Sequence, residues 1–288
     1  MLKKLSIPEF LCFSLLLTVL GFSSCATLST PKIPTLSFMQ YALEEGPEQV
    51  QEKSDIEINL ALIRLSDVYK YPKFFSFKID ELPPEYASSP IVRSEYKPGP
   101  LGSSWEFPFA SPDGSMQLLF CFCEVKNNTK HILRMGDARI YLVVEGVEPL
   151  PALSSFEQLL EQADYFEAVA NRERSKQTAL FILQKPPLPT GFFRALVLYN
   201  RRSFKLVNEL KAEILPGFSY EGILVFPVIP SFSSRAKVSF FDVTTKVDGA
   251  GNPIEKTQFD FNLTSERIQM WYDRSEKAWK VGAPPEIR

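Results

Sequence analysis

Short runs in which apolar and polar residues alternate recur along the chain and predict β-strands. In the run that begins at Ile56 and ends at Leu62, every second residue is a large aliphatic one, which is the period of a strand with one buried face. Further strands are predicted at 74–80, 118–125, 138–144, 210–215, 220–227, 236–247 and 255–263, and a hairpin from 268–272 and 277–281. Turn residues at short, regular spacing between these runs favour a mainly β fold of the sandwich type.

One segment has the period of a helix. Apolar residues recur at i, i+3, i+4 and i+7 from Phe156 to Ala170, and Ser154 with Glu157 forms a capping box. This pattern predicts a helix that ends near Arg174. Residues 177–184 fit a continuation of the helix or a strand, and residues 192–199 are apolar enough to be buried without a clear period.

The first 25 residues carry the features of an export signal. Two lysines, Lys3 and Lys4, precede an apolar stretch from Phe10 to Phe22, which is too short for the roughly 20 residues that span a bilayer. Small residues then lead to Cys25. The segment resembles bacterial lipoprotein precursors. Phe22 stands where such precursors usually have leucine, and this departure resembles the relaxed lipobox of spirochaete lipoproteins.

The lipoprotein resemblance implies how the N-terminus is processed and where in the cell the protein is located. It implies that residues 1–24 are removed as a signal peptide and that Cys25 carries acyl chains such as palmitate. It also implies a membrane-anchored protein of the cell envelope, on the periplasmic face of the inner or outer membrane or on the cell surface. An ordinary signal peptide and an uncleaved anchor are the alternatives.

The remaining chain divides into a tether and a folded part. Residues 25–54 have little periodic hydrophobicity and a stretch rich in Glu and Gln, so a lipidated N-terminus and a flexible tether are predicted there. Residues 55–288 are predicted to form the β-sandwich domain. Repeated prolines in residues 82–112 exclude a long helix and predict a surface connection.

Two segments of the folded part resemble an immunoglobulin-like domain that occurs in many bacterial lipoproteins of unknown function. The first is Glu124-Val125-Lys126-Asn127-Asn128-Thr129, and the second runs from Leu215-Pro216-Gly217 to Phe226-Pro227. In the second segment, Pro216-Gly217 suits a tight turn, and Gly222 allows a strand to start or bulge. The resemblance implies an immunoglobulin-like β-sandwich in which residues 150–205 form an α-helical insertion, and it transfers no catalytic residue.

Composition removes several classes of function. The formal net charge is −2 and the basic residues are scattered, which argues against nucleic-acid binding. His131 is the one histidine, so schemes that need several histidines are excluded. No phosphate loop, nucleophile elbow or zinc-protease motif occurs. We therefore predict no cofactor and no catalytic residue.

Cys121 and Cys123 are the only thiols besides Cys25 outside the signal segment. Their i, i+2 spacing on a strand directs both to one face, which predicts two buried thiols. A metal site completed by His131 would lack a fourth ligand and the usual zinc spacing. The loop 248–252 contains acidic and amide side chains, but it lacks the pattern of a calcium loop and is predicted to be a hairpin turn.

These observations favour a non-enzymatic envelope protein that binds a partner or serves as a structural module. Trp105, in the proline-rich connection, is the candidate binding residue, and the helix from Leu153 to Arg174 is a second candidate surface. A hydrolase that uses a carboxylate pair is one alternative. A carrier of an apolar ligand, with phenylalanines that line a cavity, is another.

Overall fold

The computed structural model describes residues 35–64, 108–111, 113–180, 187–199, 201, 204–207, 213–228, 233, 235–273, 275 and 278–285. Within these ranges the fold is mainly β, as predicted. Strands are β1 (Thr35–Leu43), β2 (Glu48–Lys53), β3 (Ile56–Ile63), β4 (Leu119–Asn127), β5 (Leu133–Arg134), β6 (Arg139–Val144), β7 (Leu150–Pro151), β8 (Glu213–Ile214), β9 (Ser219–Phe226), β10 (Ala236–Val247), β11 (Pro253–Asp273) and β12 (Ala278–Val281). The helices are α1 (Phe156–Leu180) and α2 (Phe192–Tyr199).

The strands form two larger antiparallel sheets. The six-stranded sheet has the order β1-β11-β10-β6-β7, and β12 also pairs with β11. The four-stranded sheet has the order β2-β3-β4-β9. The short strands β5 and β8 pair with each other, with Leu133 opposite Ile214. Because β4 and β6 belong to different sheets, the chain crosses between the sheets in the segment that connects them.

One core lies between the two larger sheets. The four-stranded sheet supplies side chains such as Ile58, Cys121 and Leu224, and the six-stranded sheet supplies others such as Val238 and Phe259. All five are fully buried. Burial of such apolar side chains contributes roughly 1.5 to 3 kcal/mol each for the larger ones, so this core is a main source of stability.

A second core covers the other face of the four-stranded sheet. Phe120 of β4 and Val225 of β9 point away from the first core and pack with Leu159, Phe166 and other residues of the two helices. The first five residues of β4, Leu119 to Cys123, are therefore all apolar, because both faces of the strand are covered there. The helices form a third layer on this side.

Most predicted strands are confirmed. The strand predicted at 236–247 has the bounds of β10, and the runs at 56–62, 118–125, 138–144 and 220–227 correspond to β3, β4, β6 and β9. The predicted C-terminal hairpin is confirmed by the pairing of β11 with β12. Of the strand predicted at 210–215, β8 covers two residues, and the strand predicted at 74–80 lies outside the described residues.

The tether predicted for residues 25–54 is wrong from residue 35 onward. That stretch contains β1, which pairs with β11 along its whole length, and β2, which pairs with β3. The polar composition of β2 has a structural reason, since it is an edge strand. Its Gln51 side chain donates a hydrogen bond to the carbonyl oxygen of Asp260, and its Lys53 Nζ donates to the carbonyl oxygen of Gln258 at 2.6 Å.

Two predicted boundaries also differ from the structure. The capping interactions of α1 lie one residue later than expected, because the backbone N–H of Gln158 donates to Ser155 Oγ at 3.3 Å and that of Ser154 donates to Gln158 Oε1 at 2.8 Å. The helix continues to Leu180 instead of ending near Arg174. The segments predicted at 255–263 and 268–272 are one strand, since β1 pairs across the polar residues between them.

Candidate functional site

Asn127, the first residue of the resembling Asn-Asn-Thr segment, is the centre of a buried polar network. Its side chain is 0% exposed. Nδ2 donates to the carbonyl oxygens of His131 and Ile214, both at 2.8 Å. Oδ1 accepts from the backbone N–H of Thr129 at 3.0 Å and from Thr129 Oγ1 at 2.6 Å. Every polar atom of this amide is therefore satisfied within the fold.

The turn of the second resembling segment packs directly against this network. The backbone N–H of Asn127 donates to the carbonyl oxygen of Phe218 at 3.0 Å, and that of Gly217 donates to the carbonyl oxygen of Asn127 at 2.6 Å. Gly217 has a φ of +79°, which favours glycine. The two segments are thus neighbours in space although they are far apart in the chain. Asn127 and Ile214, which are joined by a hydrogen bond, are 87 positions apart.

Three large apolar side chains are exposed around this turn. Phe218 is 63% exposed, Leu215 is 50% exposed and Ile132 is 44% exposed. Leu215 and Phe218 are held in one turn by the hydrogen bond from the Phe218 N–H to the Leu215 carbonyl oxygen at 3.1 Å. Ile132 precedes β5, and the β5–β8 register places it opposite Leu215. We call Ile132, Leu215 and Phe218 the apolar turn surface.

The apolar turn surface rests on a rigid support. Behind it, the Asn127 network ties β4 to the segment before β9, and the two backbone bonds of Asn127 fix the turn. Exposed apolar side chains on a fixed backbone are suited to contact another apolar surface. The sequence reasoning missed this surface, although an aromatic residue directly after Pro216-Gly217, where turns usually carry polar residues, was a signal for it.

Cys121 and Cys123 are buried thiols, as predicted. Both are 0% exposed, free and part of the core between the sheets. Burial raises the pKa of both thiols, and the neighbouring Cys123 raises that of Cys121 further. A buried thiol with a raised pKa is a poor nucleophile and a poor metal ligand at neutral pH.

His131 lies apart from the two thiols. Its Nε2 is 3.3 Å from the carbonyl oxygen of Thr244 in β10, while the thiols lie within the core. In the part of the chain that the structure describes, no three His, Cys, Asp or Glu side chains are grouped so that they could hold a metal ion. Cys121, Cys123 and His131 accordingly do not form such a group in the described residues.

The loop at 248–252 is a hairpin turn, as predicted. Asp248 Oδ1 accepts from the N–H groups of Ala250 and Asn252, at 2.9 and 2.8 Å, and Oδ2 accepts from Asn252 Nδ2 at 3.0 Å. These bonds, first among them that from the Asn252 side chain, lower the pKa of Asp248. The Asp248 carboxylate therefore accepts its hydrogen bonds from residues of the same turn.

Two carboxylates of the helical layer pair with one arginine of the same layer. Arg194 of α2 forms ion pairs with Glu157 at 2.6 Å and with Asp164 at 2.9 Å. Both acids lie on α1, so these contacts hold the two helices side by side. The groups are partly exposed, and such pairs contribute roughly 0 to 1 kcal/mol each.

Glu167 has a different role in the same layer. Its Oε1 accepts from the N–H of Gly191 at 2.7 Å and its Oε2 accepts from the N–H of Phe193 at 2.8 Å. It therefore caps the first turn of α2 from α1. Burial raises the pKa of Glu167, although the backbone bonds act in the opposite direction. Sequence reasoning could not identify this cap, because the partners are 24 and 26 residues away.

An open groove of about 440 Å³ lies at the end of β1. Four charged side chains line it, two acidic and two basic, together with small and polar residues: Glu44, Glu145, Arg235, Lys237, Val143, Ala236, Asn262, Leu263 and Thr264. Arg235 and Glu145 are 4.0 Å apart, and Lys237 pairs with Asp260 at 3.1 Å. Apolar atoms, among them those of Val143 and Leu263, form the larger part of the groove lining beside these charged groups. In the described residues, large phenylalanines such as Phe192 and Phe240 fill the cores.

The two residues proposed from sequence as sites lie outside the described residues. Cys25 precedes the described part of the chain, and Trp105 falls in the 65–107 gap. The predicted helical surface, by contrast, is described. On it, Tyr165 of α1 is 46% exposed and its hydroxyl donates to Met116 Sδ at 3.9 Å.

None of the helices in the described ranges is both long enough and apolar enough to cross a membrane. No protein-family model matches the chain, and neither a curated protein nor a solved structure matches it.

Proposed function

We propose that this protein is a lipid-anchored component of a bacterial cell envelope that acts by binding a partner. The observation that carries the proposal is the run from Lys3 to Cys25: a basic start, a short apolar segment and small residues directly before a cysteine. Two or three acyl chains on Cys25 would give stable anchoring, since each buried CH₂ contributes about 0.8 kcal/mol.

The start of β1 limits the length of chain between Cys25 and the first strand. Thr35 is the first residue of the sheet, ten positions after Cys25. A fully extended chain of that length spans at most about 35 Å. A tether between Cys25 and the sheet would therefore be shorter than the one that the sequence composition suggested.

We also propose that the fold is an immunoglobulin-like β-sandwich and that the helices are an insertion in it. Support comes from the two resembling segments, which pack against each other through Asn127, Gly217 and Phe218. Further support comes from the helices, which lie between β7 and β8 in the chain and pack on the outer face of the four-stranded sheet.

Binding is favoured over catalysis because the side chains that could have been catalytic, namely thiols, the histidine and carboxylates, are used by the fold itself. Cys121 and Cys123 are enclosed in the core. His131 contacts the carbonyl oxygen of Thr244. In the helical layer, Glu157 and Asp164 hold Arg194, and Glu167 holds the N-terminus of α2. Each of these groups has a role in holding the fold together.

The apolar turn surface is the binding surface that we propose. His131 contacts Thr244, which is paired with Lys256 of β11, whereas Thr35 is paired with Trp271 of the same strand. About fifteen residues of β11, on the order of 50 Å of strand, separate the two positions. The apolar turn surface is therefore well separated along β11 from the point at which the chain enters the sheet.

The anchoring part of the proposal is tested by changing Cys25. We expect Cys25→Ala to release the protein from the membrane fraction or to leave the signal segment uncleaved, because the thiol that receives the lipid is absent. Intact-mass analysis of the wild-type N-terminus should show a cysteine that carries acyl chains. Cys12→Ala is the matched control and should leave both results unchanged. An unmodified wild-type N-terminus would refute the anchor.

The binding part is tested by photo-crosslinking in cells. A photoreactive phenylalanine analogue in place of Phe218 should give a light-dependent adduct of one defined mass, because this side chain is exposed on a rigid turn. The matched control is the same analogue in place of Val50, which is 54% exposed on β2 and lies outside the apolar turn surface. Equal adducts at the two positions, or none at position 218, would argue against the proposed surface.

A further inference from the structure

The open groove at the end of β1 has a row of side chains whose order is set by the strand register. Lys237 of β10 is opposite Val143 of β6 on one side and Asn262 of β11 on the other. The backbone N–H of Glu44, directly after β1, donates to the carbonyl oxygen of Asn262 at 3.1 Å. Because Val238, the neighbour of Lys237, points into the core between the sheets, this row is on the outer face of the six-stranded sheet.

A second row of side chains lies beside the first. The N–H of Glu145, directly after β6, donates to the carbonyl oxygen of Arg235, directly before β10, at 3.0 Å. Thr264 lies two residues after Asn262 on β11, and it lines the groove as well. From β10 toward β1, the groove therefore presents basic side chains, then an amide and a hydroxyl, and then an acidic side chain.

The charged groups of the groove differ in how far they are already paired. Lys237 Nζ is 3.1 Å from Asp260 Oδ2, and Arg235 Nη1 is 4.0 Å from Glu145 Oε1. The Arg235 side chain is 83% exposed, so its guanidinium is open to a carboxylate that binds it bidentately. No hydrogen bond or ion pair joins the exposed Glu44 carboxylate to another described residue.

Charges of both signs favour a ligand that carries both. A lone anion would meet Glu44 and Glu145, and a lone cation would meet Arg235 and Lys237, and like charges that face each other in a binding site are unfavourable. Two strand spacings separate β10 from β1, so the basic and acidic ends of the groove are about 10 Å apart. An extended peptide of about three residues has the same length.

We propose that this groove binds short peptides of about three residues whose two termini are free and charged. Arg235 holds the C-terminal carboxylate, with Lys237 as a second cation, and Glu44 holds the N-terminal ammonium. The side chains of Asn262 and Thr264 lie between them and exchange hydrogen bonds with the peptide amides. The apolar atoms of the groove contact the peptide side chains, and its volume of about 440 Å³ is in the usual range for small ligands.

This site is separate from the function proposed above. None of the residues of the apolar turn surface lines the groove, and peptide binding there does not require acyl chains on Cys25. Failure of the anchor or of the apolar turn surface would therefore leave this inference standing, and the reverse also holds.

Isothermal titration calorimetry of the intact protein with trialanine tests the proposal. We expect trialanine to bind, and we expect N-acetyl-trialanine and trialanine amide each to bind roughly tenfold more weakly, because each leaves one charged end of the groove without its partner. Equal affinity for the free and the blocked peptides, or no binding of trialanine, would refute the peptide site. Maltotriose is the neutral glycan probe, and binding of maltotriose in place of trialanine would also refute it.

Two variants show which end of the groove binds which terminus. Glu44→Gln should weaken the binding of trialanine roughly tenfold and leave that of N-acetyl-trialanine unchanged, because the acetylated peptide has no ammonium to hold. Arg235→Gln should have the same effect on trialanine and leave the binding of trialanine amide unchanged. If a variant does not fold, the blocked peptides still decide the question on the unaltered protein.

Glu48→Gln and Arg134→Gln are the matched controls. Glu48 is exposed on β2 and the Arg134 side chain is 59% exposed on β5, and neither lines the groove. Both variants should bind trialanine as the wild type does. A loss of affinity in the controls as large as that in Glu44→Gln and Arg235→Gln would show that the peptide responds to net charge alone, and the assigned site would be wrong.

Discussion

Gly222→Ala should destabilise the protein by about 2 to 4 kcal/mol, because the backbone of another segment passes directly over this glycine. A Cβ atom at position 222 would overlap the carbonyl oxygen of Lys205 and lie 3.1 Å from Val207 Cγ2. That carbonyl accepts a hydrogen bond from the N–H of Ile223 at 2.8 Å, and the N–H of Val207 donates to Ile223 at 3.0 Å. Relief of the overlap would stretch both bonds.

Gly249→Ala is the matched control for this prediction. A Cβ atom at position 249 would meet no atom within 4 Å, so its effect should stay within about 0.5 kcal/mol. Urea unfolding followed by circular dichroism measures both variants against the wild type. A Gly222→Ala variant as stable as Gly249→Ala would show that the 204–207 segment can move away from β9 at no cost.

The role of Gly222 also illustrates what sequence reasoning can and cannot supply. A glycine before an apolar run was interpreted as the start of a strand or a bulge. The pairing of β4 with β9 passes through Gly222 opposite Cys123 without a register shift, so there is no bulge at this position. The reason for the glycine lies in Lys205, which is 17 positions earlier in the chain and whose approach has no local sequence signal.

Strands with one or two buried faces were predictable, because the positions of apolar residues along a strand follow which of its faces are buried. β3 alternates since one of its faces is in the core, and β4 is apolar from Leu119 to Cys123 since both of its faces are covered there. β2 was missed for the same reason, because an edge strand held by backbone bonds needs no apolar pattern. Its polar side chains instead donate hydrogen bonds to backbone carbonyl oxygens of β11.

The long-range polar contacts were not predictable from one sequence. Asn127 was recognised within a resembling motif, but its bond to Ile214 depends on how the segment before β9 returns to β4. The Glu167 cap of α2 likewise depends on the packing of two helices. Local patterns determine which face of an element is buried, whereas contacts of this kind depend on the arrangement of the sheets.

Asn127→Ala should cost about 3 kcal/mol or more, because it leaves two buried polar groups without a partner. The carbonyl oxygen of Ile214 would lose the Asn127 amide as its donor, and the N–H of Thr129 would lose its acceptor, whereas Thr129 Oγ1 can still donate to the carbonyl oxygen of His131. An unsatisfied buried group costs roughly 1 to 3 kcal/mol. The exposed neighbour Asn128 provides the control, and Asn128→Ala should stay within about 0.5 kcal/mol of the wild type.

Asn127→Asp separates the loss of hydrogen bonds from the loss of volume. The introduced carboxylate would keep the shape of the amide but face two carbonyl oxygens, so its pKa in the folded state should rise above the usual value of about 3.9. A raised pKa means that the folded state retains the proton over a pH range in which the unfolded state has lost it. Stability relative to the wild type is therefore greatest below pH 4 and falls as the pH rises through the folded-state pKa.

Urea unfolding at pH 4 and pH 7 should consequently show a larger deficit for Asn127→Asp at pH 7, while the deficit of Asn127→Ala stays the same at both. The protonated side chain can donate one hydrogen bond to a carbonyl oxygen, which the ionised one cannot do. Equal deficits for Asn127→Asp at the two pH values would mean that the two carbonyl oxygens turn away from the new charge. The network would then not be the rigid support that holds Leu215 and Phe218 in place.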